Sequence, residues 1–262
     1  MKYTNANEKS WNILSGQGYK WTLPIEHEDF LKAKNGDFPL YLTPSKAVPK
    51  DWLPDFKGLK VLGLASGGGQ QGPVFTAWGA DVTIFDLSDK QLEAEKMVAE
   101  RENYNISIVK GDMTERFPFE DEIFDFIFHP VSNCYVLDIQ HIWNECYRVL
   151  KKGGTLVSGF LTETGFLFDI NPENPTMTVV NKMPLNPLKG LSDDEIKTCY
   201  ENGEGFMFSH TLEEQIGGQI KAGLTLAGIY DDRERPDEFC GVLGEYMNTY
   251  AATKSVKLAP IT

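Results

Sequence analysis

The sequence predicts an α/β fold: a doubly wound, mostly parallel sheet with an antiparallel terminal hairpin, an N-terminal extension and an inserted cap. Three observations predict it. Val61, Leu62 and Leu64 form an apolar run that breaks into glycines at Gly67, Gly68, Gly69 and Gly72, then passes through a short helical pattern to Val82–Phe85 and the carboxylate of Asp86. That is the pattern of a βαβ unit with a glycine-rich first turn. Phe124-Asp125-Phe126-Ile127-Phe128 reads as a buried central strand. Leu224–Tyr230 and Tyr250–Val256 read as an antiparallel strand pair. At 262 residues the chain suits one large α/β domain, or a core carrying a smaller insertion.

Residues 1–56 stand outside the α/β alternation. Trp11, Tyr19, Trp21, Phe30, Phe38, Tyr41 and Trp52 are spread among turn formers such as Asn35-Gly36 and Pro39, with one short helix expected over Glu26–Lys34. Such an extension either packs on the core or acts as a lid, with Trp11, Tyr19 and Trp21 as rigid aromatic walls of a ligand pocket. The core spans residues 57–159. Ser88-x-x-Gln91 reads as a capping box opening a helix with Leu92, Ala94, Met97 and Val98 on its apolar face. A strand follows at Ile106–Val109, then Gly111-Asp112-Met113. After Phe128 comes the loop His129–Tyr135, and Ile139, Ile142, Trp143, Cys146 and Leu150 share one helical face, with Lys151-Lys152-Gly153-Gly154 expected in the C-cap. Thr155–Ser158 starts the next strand.

Residues 160–209 break the alternation, with Asn171-Pro172, Asn174-Pro175 and Asn186-Pro187 among aromatics and a helix expected from the Ser192-x-x-Glu195 capping box. Their place after a strand's carboxyl end puts them over the cleft, as a substrate cap or a passive decoration. Residues 210–262 complete the sheet. Thr211-x-x-Glu214 is a further capping box, with Leu212, Ile216 and Ile220 on one face, and Phe239–Tyr246 links the last two strands.

The glycines let a ligand approach the backbone closely and leave first-turn N–H groups facing it. Asp86, at the end of the next parallel strand, can accept from both hydroxyls of a ribose, so the pair describes a nucleoside-cofactor site. Gly67, Gly69 and Gly72 satisfy G-x-G-x-x-G, the dinucleotide fingerprint. Yet Asp86 follows Gly69 by only 17 positions, whereas that fingerprint sets its acid about 20 residues on. The formal net charge of −13 argues against a polyanionic partner, so no nucleic acid is expected. Cys134, Cys146, Cys199 and Cys240 lie far apart without C-x-x-C, which points to reduced thiols in the cytoplasm and to neither a metal site nor a disulfide framework. The first residues lack the apolar core of a signal peptide, and no run approaches the length of a membrane span.

FPFEDEIFDFIF (Phe117–Phe128), with ECYRVLKKGGTLV after it, closely resembles the class I S-adenosylmethionine-dependent methyltransferases of the Rossmann-like superfamily, whose pattern is LPFxDxxFDxV followed by RVLKPGG. The short interval from glycine turn to acid is similar too. The resemblance is strong from Lys60 to Ser158 and implies S-adenosyl-L-methionine as cofactor, S-adenosyl-L-homocysteine as product and a small-molecule methyl acceptor. It implies that Ala65, Ser66, Gly67, Gly69 and Gln70 meet the methionine part, Asp86 the ribose, and Leu87, Gln91, Asp112 and Met113 the adenine. In the loop after the central strand it assigns His129 and Asn133 to the cofactor, with His129 a candidate base. Trp11, Tyr19, Trp21, Tyr135 and Phe166 are the expected acceptor walls. The family commonly has an acid where this chain has Gly63 and a glycine where it has Ala65; Gln70 or Gln71 is the expected substitute for the acid. Two alternatives stand beside this reading: a nicotinamide-dinucleotide oxidoreductase, and a non-catalytic S-adenosylmethionine-binding protein. The expected assembly is a monomer or homodimer.

Overall fold

The computed structural model describes residues 1–170, 176–235 and 241–259. Helix α1 (Tyr3–Gly16) opens the chain, and α2 (His27–Lys34) follows a short 3-10 turn. The core alternates β1 (Lys60–Leu64), α3 (Gln71–Ala77), β2 (Asp81–Asp86), α4 (Asp89–Glu102), β3 (Ser107–Lys110), β4 (Phe124–His129), α5 (Ile139–Val149) and β5 (Leu150–Leu161). Beyond β5 come the single turn α6 (Thr164–Leu167), a small antiparallel pair β6 (Phe168–Ile170) and β7 (Met177–Val179), and α7 (Asp193–Asn202). A π-turn (Glu213–Gly217) leads into α8 (Gly218–Lys221), then β8 (Thr225–Asp232) and β9 (Tyr250–Val256). The Asn171-Pro172 and Asn174-Pro175 turns, Cys240 and the start of the Phe239–Tyr246 link lie outside the described residues.

The main sheet has the order β3-β2-β1-β4-β5-β9-β8. Its first five strands are parallel, and β9 runs antiparallel between β5 and β8. Period-two alternation sends Val61, Ile84, Phe126 and Phe128 to one face, where they bury against Val74, Phe75 and the N-terminal Phe30, Leu40 and Trp52. Leu62, Leu64, Phe85 and Ile127 go to the other, against Ile142, Trp143, Cys146 and Val149 of α5. Both faces of the central strands are therefore dry, which is why they read as continuous apolar runs.

Three local expectations need correction. Helix α1 was not expected: its N-cap is Lys2, with no side-chain cap, and only Thr4, Ala6 and Asn7 along it are buried. It forms by packing on α4 and α7 rather than by local signals. Lys151–Gly154 is not a C-cap, because α5 ends at Val149 and the stretch is already strand. The register slips there, Phe124 pairing with Leu150 and Phe126 with Thr155, and Gly153 takes φ +82° so that its N–H reaches the carbonyl of Lys257. At α4 only half of the capping box exists: Ser88 Oγ accepts from the Gln91 N–H, while the Ser88 N–H goes to Asp86 Oδ1 at 2.9 Å. The boxes at Ser192-Glu195 and Thr211-Glu214 are reciprocal.

Candidate active site

The parallel strands and β8 end at one edge of the sheet, where β9 begins, and a cavity of about 630 Å³ follows that edge. On the β1–β3 side the chain leaves Leu64 through Ala65, held at φ +49°, with its N–H on the Phe85 carbonyl at 2.8 Å. The Gly67 N–H donates to Asp86 Oδ2 at 3.0 Å, so turn and acid are tied directly. A Cβ on Gly67 would lie 2.8 Å from Gln91 Cβ and 3.1 Å from Asp86 Oδ2; only glycine fits this contact. Burial pushes the Asp86 carboxyl up, and the N–H groups of Ser88 and Gly67 act against that.

Beneath the turn lies Glu95, fully buried, whose Oε2 accepts from the Gly69 N–H at 2.8 Å. Desolvation raises its pKa to about 8. Asp112 Oδ1 accepts from the N–H and hydroxyl of Thr114 at 2.9 and 2.7 Å, a turn that presents Asp112 and Met113 to the cavity. A Cβ on Gly63 would meet Ser66 Oγ at 2.3 Å and Ile84 Cδ1 at 2.5 Å, so the space an acid would occupy there is filled. Gln70 and Gln71 both border the cavity, but the Gln70 amide nitrogen is engaged by the Leu23 carbonyl at 2.8 Å.

Aromatics of the N-terminal segment and of the β4–β8 side share the rest of the wall. Trp11 packs edge-on against Tyr135 at 5.4 Å and beside Tyr19 at 6.4 Å, and Trp21, Phe166, Phe168 and Met207 line the same space. Helix α1 is tied to both sides. Asn12 Oδ1 accepts from Ser88 Oγ at 2.7 Å and the Lys90 N–H at 3.2 Å, while Asn7 Nδ2 donates to the Tyr135 carbonyl at 3.1 Å.

Residues 62–158 match the family described as a methyltransferase domain. Over 253 residues the chain is 46% identical to an uncharacterized methyltransferase, YbaJ, of Bacillus subtilis (strain 168), covering 96% of this chain and 97% of that protein. The chain belongs to the S-adenosylmethionine-dependent methyltransferases. It is 33% identical over 185 residues to sterol 24-C-methyltransferase erg6 of Aspergillus fumigatus, spanning 69% of this chain but only 44% of that protein. Its fold matches geranyl diphosphate C-methyltransferase of Streptomyces coelicolor A3(2), crystallised with Mg²⁺, geranyl diphosphate and S-adenosyl-L-homocysteine (TM-score 0.55, 16% identity, 80% of this chain and 76% of that one). The dinucleotide and non-catalytic alternatives give way to this membership.

The methyltransferase brings Ala65, Ser66, Gly67, Gln70, Asp86, Leu87, Gln91, Asp112 and Met113 to one end of the cavity, and Trp11, Tyr19, Trp21, Tyr135 and Phe166 to the rest of its wall. The residues fit an adenosyl cofactor on one structural observation: Ser66 Oγ and Gln91 Oε1 are buried polar atoms in that wall without a hydrogen-bond partner, a state that burial makes costly unless a ligand supplies the bond. Three expected residues do not reach the wall. Gly69 sits behind it, its N–H on Glu95 and its carbonyl accepting from the Ile25 N–H at 2.9 Å. His129 and Asn133 are fully buried. On β4, His129 shares the face of Ile127 and turns toward α5, with its ring centroid 6.1 Å from that of Trp143. Its Nδ1 bonds the Leu64 carbonyl at 3.1 Å and its Nε2 bonds Asn133 at 2.8 Å, which in turn bonds Gln215. Burial lowers its pKa. His129 is therefore a core imidazole rather than a base at the cavity.

Sequence reasoning missed Tyr41–Pro44, Ser132, Phe168, Met207, Glu234 and Tyr250, all in the cavity wall. Ser132 was within the quoted loop, and Glu234 and Tyr250 follow from the strand-end rule applied to β8 and β9. Residues 41–44 carry no local signal; a bridge between Tyr41 and Ala47 folds them back.

Proposed function

We propose that this methyltransferase methylates a small-molecule acceptor held between the N-terminal segment and residues 160–209, by in-line displacement and without a dedicated base. The observation that carries the reading is one continuous cavity whose β1–β3 side bears the ribose acid and glycine turn and whose β4–β8 side is aromatic. Bound S-adenosylmethionine supplies an activated methyl carbon on a sulfonium. Asp86 holds the ribose, Leu87, Gln91, Asp112 and Met113 surround the adenine, and Ser66 and Gly67 receive the methionine end. Trp11, Tyr19, Trp21, Tyr135 and Phe166 align the acceptor and exclude water; alignment of this kind is worth on the order of 7 kcal/mol in favourable model reactions.

In this reading residues 1–56 are the lid, 57–159 the cofactor-binding core, 160–209 the substrate cap and 210–262 the completion of the sheet. The enzyme is cytoplasmic, a monomer or homodimer, and acts on no nucleic acid, in keeping with its net charge of −13. Among the described residues no helix is long and apolar enough to cross a membrane. The test is calorimetric titration with S-adenosyl-L-homocysteine, with NADH as comparator. Asp86→Ala removes charge-assisted bonds and should weaken binding by about 10- to 100-fold. Wild-type-like affinity in that variant, or no saturable binding by the wild type, refutes the assignment; turnover on a panel of apolar acceptors then tests the rest.

A further inference from the structure

Helix α1 presents three stripes to three neighbours, and the chemistry of each decides what the helix moves with. Thr4, Asn7, Trp11 and Leu14, spaced by three and four residues, line the cavity. The stripe beside them faces the cap. Tyr3 and Ala6 enter a separate apolar cluster with Ile196, Tyr200, Phe206 and Phe208, the Tyr3 and Phe208 rings standing edge to face at 5.2 Å. Further along that stripe, a Cβ on Gly205 would lie 3.2 Å from Ser10 Cβ, and one on Gly203 would lie 2.3 Å from Ile13 Cδ1. The cap backbone therefore runs close against α1.

The third stripe meets the core through polar contacts. Asn12 bonds Ser88 and Lys90, and Glu8 pairs with Lys110 at 2.7 Å. Asn7 Nδ2 donates to the Tyr135 carbonyl, and the Leu137 N–H donates to the Tyr3 hydroxyl at 3.0 Å. Among the described residues, neither apolar cluster flanking the main sheet contains a residue of α1. The cap meets the core beside it by a hydrogen bond too, from the Phe208 N–H to the Cys134 carbonyl at 2.6 Å. These joints are unequal. Exposed ion pairs and single hydrogen bonds are readily exchanged for water, whereas parting α1 from the cap returns an apolar cluster to it. Asn7, 3% exposed, strengthens the apolar joint by accepting the Phe206 N–H on Oδ1.

We propose that α1 and the part of the cap packed on it, α7 and residues 203–208, move as one body, so that a single opening admits both cofactor and acceptor. This rests on the functional reading above, in which the cofactor lies under α1. Cofactor bound against the cavity stripe of α1 then holds the cap closed, although no residue of α7 borders the cavity. By reciprocity an acceptor held under the cap slows cofactor release.

Two measurements on the full chain test this. In hydrogen exchange, S-adenosyl-L-homocysteine at 100 times its Kd should slow the amides of α1 and of α7 by the same factor, up to about 100-fold where opening expels the ligand. The second uses a staple. Ser10→Cys with Gly205→Cys, in a Cys199→Ser background, places two Cβ atoms near the separation of about 3.5–4.5 Å that a disulfide spans. Stopped-flow dissociation of S-adenosyl-L-homocysteine should run at the same rate in the oxidised and the reduced forms, because the joint being locked does not open. Protection of α1 without α7, or dissociation arrested on oxidation, overturns the proposal, and so does binding that protects neither helix. Calorimetry on the same samples keeps the failures apart: no saturable binding by the wild type is a failure of the cofactor reading, and intact binding with any of those results is a failure of this one.

Discussion

Glu95 makes the stability of this enzyme fall with rising pH in a way that a single isosteric substitution should abolish. Its carboxyl is fully buried, with Oε2 on the Gly69 N–H at 2.8 Å and Oε1 without a partner. Folding moves its pKa from 4.5 to about 8. Between those values the native state binds a proton that the unfolded chain releases, so stability is full below the lower value and declines as pH rises through the window. The slope is about 1.4 kcal/mol per pH unit. From pH 6 to pH 8 the loss is about 2 kcal/mol, the slope flattening as pH nears the folded value, or roughly 4–8 °C in Tm for a chain of this size. Glu95→Gln retains an oxygen for the Gly69 N–H and cannot ionise. Thermal melts of both proteins at pH 6, 7 and 8 should converge at the acid end and separate toward pH 8, with the variant the more stable there. Parallel curves would refute the account of Glu95 as a carboxyl kept neutral under the turn.

Three further outcomes follow from the geometry. Ala65 sits at φ +49°, a conformation that costs a non-glycine residue about 1–2 kcal/mol; after the extra chain entropy of glycine is counted, Ala65→Gly should raise Tm by about 2 °C, and a fall in Tm contradicts the strain. Asn12→Ala removes the bonds from α1 to Ser88 and Lys90, so S-adenosyl-L-homocysteine should dissociate faster in stopped-flow while Asp86 and Gly67 keep their own contact; an unchanged off-rate denies α1 a lid function. His129 has its pKa lowered below 6.5 by burial, so its contribution to stability is present at neutral pH and is lost as pH falls below that value. His129→Gln should cost about 1–3 kcal/mol through its buried bonds yet leave the shape of the kcat profile between pH 6 and 8 unchanged, and loss of a neutral-pH limb in the variant would restore the imidazole as a base.

The parts of the fold legible in the sequence are those where local chemistry and burial agree. Val61–Leu64 and Phe124–Phe128 are dry on both faces, so their apolar runs have one meaning. Gly67 and Asp86 face each other across 3.0 Å, and the need for glycine at that contact is visible as the glycine itself. The misreadings arise where a position's meaning depends on partners distant in sequence. Helix α1 has no cap and is fixed by α4 and α7. Lys151–Gly154 has the composition of a helix stop, but pairing with Lys257 draws it into the sheet. His129 is the last residue of a strand, and which way it faces is set by the pleat rather than by residue type. Glu234 and Tyr250 meet through the antiparallel register that sets Asp232 against Tyr250, which no local pattern encodes.

With His129 turned into the core, the chemistry left to the acceptor side narrows. Cys134 and Tyr135 border the cavity there, but burial pushes the thiol up to about 12 and the phenol well above its ordinary value of 10.0, so both keep their protons at neutral pH and neither is a ready base. Glu234 borders the cavity beside Tyr250, across the sheet from Asp86. An acceptor atom that needs a proton removed before attack, such as an alcohol oxygen, has little help in this geometry, whereas one already nucleophilic at neutral pH needs only alignment and a dry path. In the proposed reading the aromatic wall and helix α1 supply those two things, and the rate should then follow how completely water is excluded rather than the titration of any one side chain.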